Sequence, residues 1–354
     1  VGRIMGQLKM TGTTHDGMKR GTRLGLFFVA LASLAGCATS AHEMTRNIVE
    51  GNDAALRGDY AGSIGHYETA LESVPDAAPA KRNLGIVLVK VGNYKRARDV
   101  LSDVTREYPT DVEVFYFLGE AYRGLREYAG ATANYQRALR IEPTDLRAQK
   151  ALAWTWHKTG QDDRALMLMQ PLLRKNPQDL QVRLIVASAY NRKKKFPDAV
   201  RTLEVLEKAG FKIQSRDKIS GDSERALLMT TLADANYGLE NYNKASLLYG
   251  EVLKTRPFLA TALVGSAKCD IRGSQNPRAI SKLERAVKAD PDAADAHFLL
   301  ARLYEKFDPN KSLFYHKRFQ LLAKGRAEFD EALVISRNMT GKLERRTAEL
   351  NSAR

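Results

Sequence analysis

Residues 125–143 read "LREYAGATANYQRALRIEP". Small and large residues alternate here at helical spacing. Ala131 and Tyr135 are four apart and share one helix face, and Ala138 continues it. Pro143 then stops the segment, because a helix interior cannot accommodate its ring or its missing N–H. Just upstream, Leu118-Gly119 and Tyr122 give a second apolar face, with a glycine where two helices would cross closely. The stretch reads as the second helix of a hairpin.

The same design recurs. "RGDYAGSIGHYETALESVP" ends at Pro75, "VGNYKRARDVLSDVTREYP" at Pro109 and "TGQDDRALMLMQPLLRKNP" at Pro177, so the closing prolines stand 34 residues apart. A fifth unit keeps the register from near Leu180, with Tyr190, Ala199 and Leu203 in the key places. The segment "KIQSRDKISGDSER", residues 212–225, breaks the spacing and contains Gly221; it is expected as a polar surface loop. A sixth unit starts near Ala226 and ends at Pro257, and a seventh ends at Pro291. The seventh is degenerate, with Ser266 and Asp270 at positions usually large and apolar. An eighth carries Leu300-Ala301 and Tyr304, and residues 326–354 read as a final charged helix.

The period and its contents resemble the tetratricopeptide repeat (TPR), a pair of antiparallel helices A and B. The resemblance implies an all-α fold: a TPR α-solenoid of about eight helix-turn-helix repeats with a C-terminal capping helix. Units one to five fall in 44–211 and units six to eight in 226–325. Such units bury their apolar faces only by stacking on one another.

The N-terminal part has a different logic. Lys19, Arg20 and Arg23 precede "LGLFFVALASLA", residues 24–35, which carries no charge. That run is shorter than the roughly 20 residues of a membrane span and fits an export signal. It ends in Leu34-Ala35-Gly36-Cys37, which resembles the lipobox of bacterial lipoproteins. The resemblance implies that residues 1–36 form a signal peptide and that Cys37 carries acyl chains. Residues 37–43 would then be an acylated tether, and Met18 is the better start. Stable attachment needs two lipid signals or more, which this modification supplies. Ala38, where an aspartate would favour retention at the inner membrane, implies the periplasm-facing side of the outer membrane.

The chain has 354 residues and a formal charge of +15. The positive charge is spread through the helices, as in "NRKKKF", and an exported protein seldom meets nucleic acid, so no nucleic-acid partner is expected. Two cysteines, Cys37 and Cys269, cannot make a disulfide framework. Phosphate-loop, HExxH and G-x-S-x-G patterns do not occur, and the histidines lack metal-ligand spacing. No enzyme activity, cofactor or metal is expected, and Cys269 reads as a packed thiol.

In the repeat family, recurring helix A positions line the inner, concave groove. Register places Asn52, Arg82, Asn83, Tyr116, Phe117, Glu120, Arg147, Lys150, Trp154, His157, Asn191, Asp234 and Tyr237 there. Asn52 and Asn83 match two asparagines of the carboxylate clamp of chaperone-binding members. Ile48, Glu113 and Phe117 stand where the clamp's basic residues would be, so that activity is not expected. The candidate partner-binding groove is Asn52, Arg82, Asn83, Tyr116, Phe117, Arg147, Lys150 and Trp154, with a basic rim suited to an acidic segment. The alternative for Tyr116, Phe117 and Trp154 is packing between helices. The chain is similar to lipoproteins that assist type IV or tight-adherence pilus assembly. That likeness implies a non-catalytic scaffold for envelope proteins, held at the membrane through acylated Cys37. An adaptor that recruits or regulates cell-wall enzymes, or serves polysaccharide export, is the alternative with the same fold and anchor.

Overall fold

The computed structural model describes residues 40–208 and 218–352. Cys37, the expected signal peptide, the start of the tether and residues 209–217 lie outside them. The described residues are helical, without strands, and fall into two compact units that meet at Ile141/Glu142.

The first unit holds three helix pairs. Helix α1 (40–56) pairs with α2 (Tyr60–Ser73), α3 (Ala78–Lys90) with α4 (Tyr94–Asp103), and α5 (Val112–Gly124) with α6 (Tyr128–Ile141). The second unit holds five. They are α7 (Leu146–Lys158) with α8 (Asp162–Lys175), α9 (Leu180–Arg192) with α10 (Phe196–Lys208), and α11 (Lys218–Gly238) with α12 (Tyr242–Thr255). Then come α13 (Ala260–Arg272) with α14 (Asn276–Ala289) and α15 (Ala294–Tyr304) with α16 (Pro309–Ala323). A 3₁₀ turn, Ala327–Phe329, leads into α17 (Asp330–Ser352), which packs on α16. The eight pairs are the TPR repeats that the sequence pattern predicts.

Two boundaries differ from the sequence reading. Residues 218–225, expected as part of a surface loop, are the opening turns of α11, so the sixth unit begins at Lys218 rather than near Ala226. The polar composition of 218–225 hid the helix, because a run with a single large apolar residue, Ile219, shows no apolar period. Residues 40–43, assigned to the tether, already belong to α1.

Each of the first seven hairpins is specified at two points. The turn from helix A to helix B holds one residue in the left-handed region, at Gly58, Gly92, Arg126, Gly160, Lys194, Glu240 and Ser274, with φ between 57° and 81°. Glycine enters that region without a steric cost, and the four other residues accept strain of about 1 kcal/mol each. At the helix crossing, helix A carries Gly51, Gly85 or Gly119. A Cβ on Gly119 would lie 2.6 Å from the Tyr135 ring, and one on Gly85 would lie 2.5 Å from Leu101. The facing helix B residues Tyr67, Leu101, Tyr135, Met169, Leu203, Tyr249 and Leu283 are all buried. Each such side chain contributes about 1.5–3 kcal/mol on leaving water, which holds the hairpin closed.

Candidate functional site: the helix A faces

In the first unit the predicted residues form a closed polar network. Asn83 Nδ2 donates to Asn52 Oδ1 at 2.9 Å, and the Tyr67 hydroxyl donates to the same oxygen at 2.6 Å. Asn83 Oδ1 accepts from Arg82 Nη1 at 3.0 Å. Arg82 then spans to the next repeat: Nε donates to Asp111 Oδ2 at 2.6 Å and Nη2 to Glu113 Oε2 at 2.8 Å. Asp111 is the N-cap of α5, and its other oxygen accepts from the amides of Glu113 and Val114. Burial pushes the Asp111 carboxyl up. The Arg82 bond and the two amides outweigh it and hold the carboxyl below its ordinary range.

Tyr116 and Phe117 lie side by side on α5, half-buried, with ring centroids 5.1 Å apart in an edge-to-face pair. Tyr116 also lies 6.1 Å from the Tyr135 ring. The rings pack within the repeat, as the second alternative from the sequence has it, and each stays partly exposed. Glu120, three residues after Phe117, accepts from the Tyr135 hydroxyl at 2.5 Å and pairs with Arg123.

The second unit repeats the Arg82 device. Lys150 on α7 reaches Asp179, the N-cap of α9, at 2.6 Å. Arg147 pairs with Asp145, the N-cap of its own helix, at 2.8 Å. The expectation of a basic rim is therefore corrected: the charges of Arg82, Arg147 and Lys150 are balanced by carboxylates within the chain. The aspartates among them, Asp111, Asp145 and Asp179, are the N-caps of α5, α7 and α9. Trp154 is half-buried against the α8–α9 core, with Lys158 Nζ 5.3 Å from its ring centroid.

His157 Nδ1 lies 2.6 Å from Asp162, which is buried, and its Nε2 lies 3.3 Å from Arg192 Nη2. Burial and the Arg192 charge lower the imidazole's pKa despite Asp162. A neutral ring donating to Asp162 and accepting from Arg192 satisfies both contacts. Further along, Asn191 Nδ2 donates to the Thr231 carbonyl at 2.8 Å. The Tyr249 hydroxyl donates to Asp234. Crowding by neighbouring groups disfavours the charged form of the Asp234 carboxyl and pushes its pKa up to about 6, against the pull of Tyr249 and Lys268, although the residue stays exposed on one side; Asp295 adds to the rise. Lys268, which the sequence reading did not single out, pairs with Asp295 at 3.3 Å. Its signal was register: Lys268 stands 34 residues after Asp234.

Cys269 is buried, and burial pushes its thiol up to about 11, which disfavours the reactive thiolate. Among the described residues, no group of three or more His, Cys, Asp or Glu could hold a metal ion.

These features define an all-helical protein built of tandem hairpin repeats whose helix A faces carry polar and aromatic side chains. The repeats are tetratricopeptide repeats: that family's description matches residues 54–120 and 123–189, and a second description of the same repeat matches 271–308. The mouse tetratricopeptide repeat protein 12 is 30% identical over 103 residues. The match covers 28% of this chain and 14% of the length of that relative. Among solved structures, the APC/C hetero-tetramer Cut9-Hcn1 aligns with a TM-score of 0.56 at 12% identity, covering 84% of this chain and 55% of the other. Functionally characterised pilF of Pseudomonas aeruginosa aligns with a TM-score of 0.48 at 16% identity, covering 63% of this chain and 96% of the other. At such identities the likeness speaks to the fold alone.

Proposed function

We propose that this protein is a non-catalytic scaffold tethered to the outer membrane through Cys37. In this reading it faces the periplasm and assists assembly of an envelope machine such as a type IV or tight-adherence pilus or its secretin. The observation that carries the reading is a combination within one chain. A charged segment, an uncharged run and Leu34-Ala35-Gly36-Cys37 stand ahead of eight tetratricopeptide pairs, and such repeats are protein-interaction scaffolds. The helix A faces are the binding surfaces. With Arg82 and Lys150 neutralised, they offer amides and half-exposed aromatic rings, which suit a peptide backbone and its apolar side chains.

Two measurements test this. Cys37→Ser should abolish fatty-acid labelling and release the protein from the membrane fraction; a wild-type chain that takes up no label overturns the tether. Cross-linking from membranes should recover envelope assembly components. Recovery should fall about tenfold, or ~1.4 kcal/mol, in the Asn83→Ala/Trp154→Ala double variant. Recovery of cell-wall enzymes or polysaccharide exporters instead would assign the scaffold to those pathways. Unchanged recovery with unchanged helicity would remove the helix A faces from the binding site.

A further inference from the structure

An exposed apolar row begins in the turn before α16 and continues on that helix. Phe307 stands in the turn, Phe314 and Leu321 stand seven residues apart on α16, and the three are 61%, 62% and 72% exposed. Phe307 and Phe314 are linked by ring contacts through buried Tyr304 and half-buried Tyr315. Phe307 lies 5.2 Å from Tyr304, Tyr304 stacks on Tyr315 at 5.9 Å, and Tyr315 meets Phe314 at 5.2 Å. Cations border the row on both sides. Lys311 and Arg318 follow the apolar residues by four positions, and Lys317 and Lys324 by three. Lys311 and Lys317 are more than half exposed, and Lys324 is also exposed. Three of the four cations have an acidic neighbour: Asp308 lies 3.8 Å from Lys311, Glu344 of α17 lies 2.8 Å from Lys317, and Asp292 lies 3.5 Å from Arg318. These pairs are more exposed than those of Arg82 and Lys150, so they contribute little and exchange readily for another anion.

We infer that this face of the eighth repeat docks on an anionic lipid surface. A partner helix would need a two-position apolar seam, with apolar residues both at the row and three positions beyond it. Those second positions are Asn310, Lys317 and Lys324, so no seam exists. Lysine is also depleted at protein–protein interfaces, whereas three of the four bordering cations are lysines. A lipid headgroup layer suits both features. The phenyl rings and Leu321 enter the boundary with the acyl chains, and the lysine stems extend upward to place their ammonium groups among phosphates. Among the described residues, no helix is long and apolar enough to cross a membrane, so the contact is with the surface. The inference does not rest on acylation of Cys37.

The test uses the full chain with Cys37→Ser, which removes the acylation site, and vesicles of phosphatidylcholine with or without phosphatidylglycerol. Cosedimentation should require the anionic lipid and weaken with salt. Phe314→Ser/Leu321→Ser should lower the binding constant about tenfold or more, and so should Lys311→Glu/Lys317→Glu/Lys324→Glu. The charge-matched control Lys95→Glu/Arg106→Glu/Arg140→Glu, on exposed positions of the other unit, should bind as the parent does. Circular dichroism checks that each variant is folded, and a photo-crosslinking residue at Leu321 of the otherwise unaltered chain gives an independent readout. Equal binding by parent and stripe variants overturns the inference. So does a crosslinker at position 321 that captures protein and no lipid from native membranes.

Discussion

The third and seventh repeats close the same hairpin with opposite chemistry. In the third, Tyr135 of α6 fills the crossing against Gly119, and its hydroxyl is taken up by Glu120, itself paired with Arg123. In the seventh, Leu283 fills the crossing against Ala267 and has no hydroxyl to satisfy. At the helix A position that carries the acceptor in the tyrosine repeats stands Lys268, which reaches Asp295 instead. The pattern extends through the array. Tyr67, Tyr135 and Tyr249 each donate to a residue 15 positions earlier: Asn52, Glu120 and Asp234. Where helix B bears Leu101, Met169, Leu203 or Leu283, the matching residue is Ile86, Trp154, Ser188 or Lys268. The repeat backbone demands a small residue at the crossing. Everything around that residue varies, provided a crossing tyrosine's hydroxyl finds an acceptor nearby.

The largest break in this comparison is Gly119→Val. Its side chain would enter the space of the Tyr135 ring, 2.6 Å from the position of the new Cβ, and displacing the ring also costs the hydroxyl its acceptor. Overpacking plus a lost hydrogen bond predicts a destabilisation of about 3 kcal/mol in urea denaturation. Ala267→Val in the seventh repeat should cost less, about 1–2 kcal/mol, because Leu283 can repack and carries no polar atom. Equal costs would mean that the tyrosine seam contributes nothing special.

A second break concerns the degenerate face of the seventh repeat. Lys282 Nζ reaches Asp270 at 2.6 Å and Ser266 Oγ at 2.8 Å, so the polar residues at these positions are held by a lysine from helix B. The Asp270 side chain is 14% exposed. Lys282→Ala leaves that carboxylate unpaired and should cost about 2 kcal/mol. The triple change Ser266→Ala/Asp270→Leu/Lys282→Met should restore stability to within about 1 kcal/mol of the parent, because an apolar seam needs no pairing. If the single variant is neutral, the ion pair is ornamental and the repeat is held by Leu283 alone.

Much of this architecture was legible in the sequence, since a 34-residue period with its alanines, tyrosines and prolines encodes local demands. Even the left-handed turn was visible as Gly58, Gly92 and Gly160. It was obscured where Arg126 and Lys194 occupy the same place. The start of α11 was not legible, because residues 218–225 are polar and show no apolar period. Nor were the partners of Arg82 and Lys150. Each meets the N-cap aspartate 29 positions ahead, and that proximity exists only once one repeat has stacked on the next. Reading Arg82 and Lys150 as rim cations treated each repeat as independent, whereas the stacked array turns those charges into joints.

The finest distinction lies between two members of the tyrosine class. Glu120 accepts from Tyr135 and from Arg123 on its own helix, but Asp234 has no cation that close, and its pKa rises to about 6 from an ordinary 3.8. The folded state therefore binds a proton more readily than the unfolded chain. Stability from this group is fully present near pH 4 and is lost as pH rises through 6. The Asp234 side chain still reaches solvent, so the cost at neutral pH is discounted to about 1 kcal/mol. Asp234→Asn keeps an acceptor for Tyr249 and carries no charge. It should raise stability at pH 7.5 by about that amount and leave stability at pH 4 unchanged. Glu120→Gln should do the opposite, destabilising at neutral pH, because it strands Arg123 beside Tyr135. Urea melts of both variants across this range measure the two slopes. Parallel responses would show that the tyrosine partners are interchangeable and that Arg123 adds nothing to the third repeat.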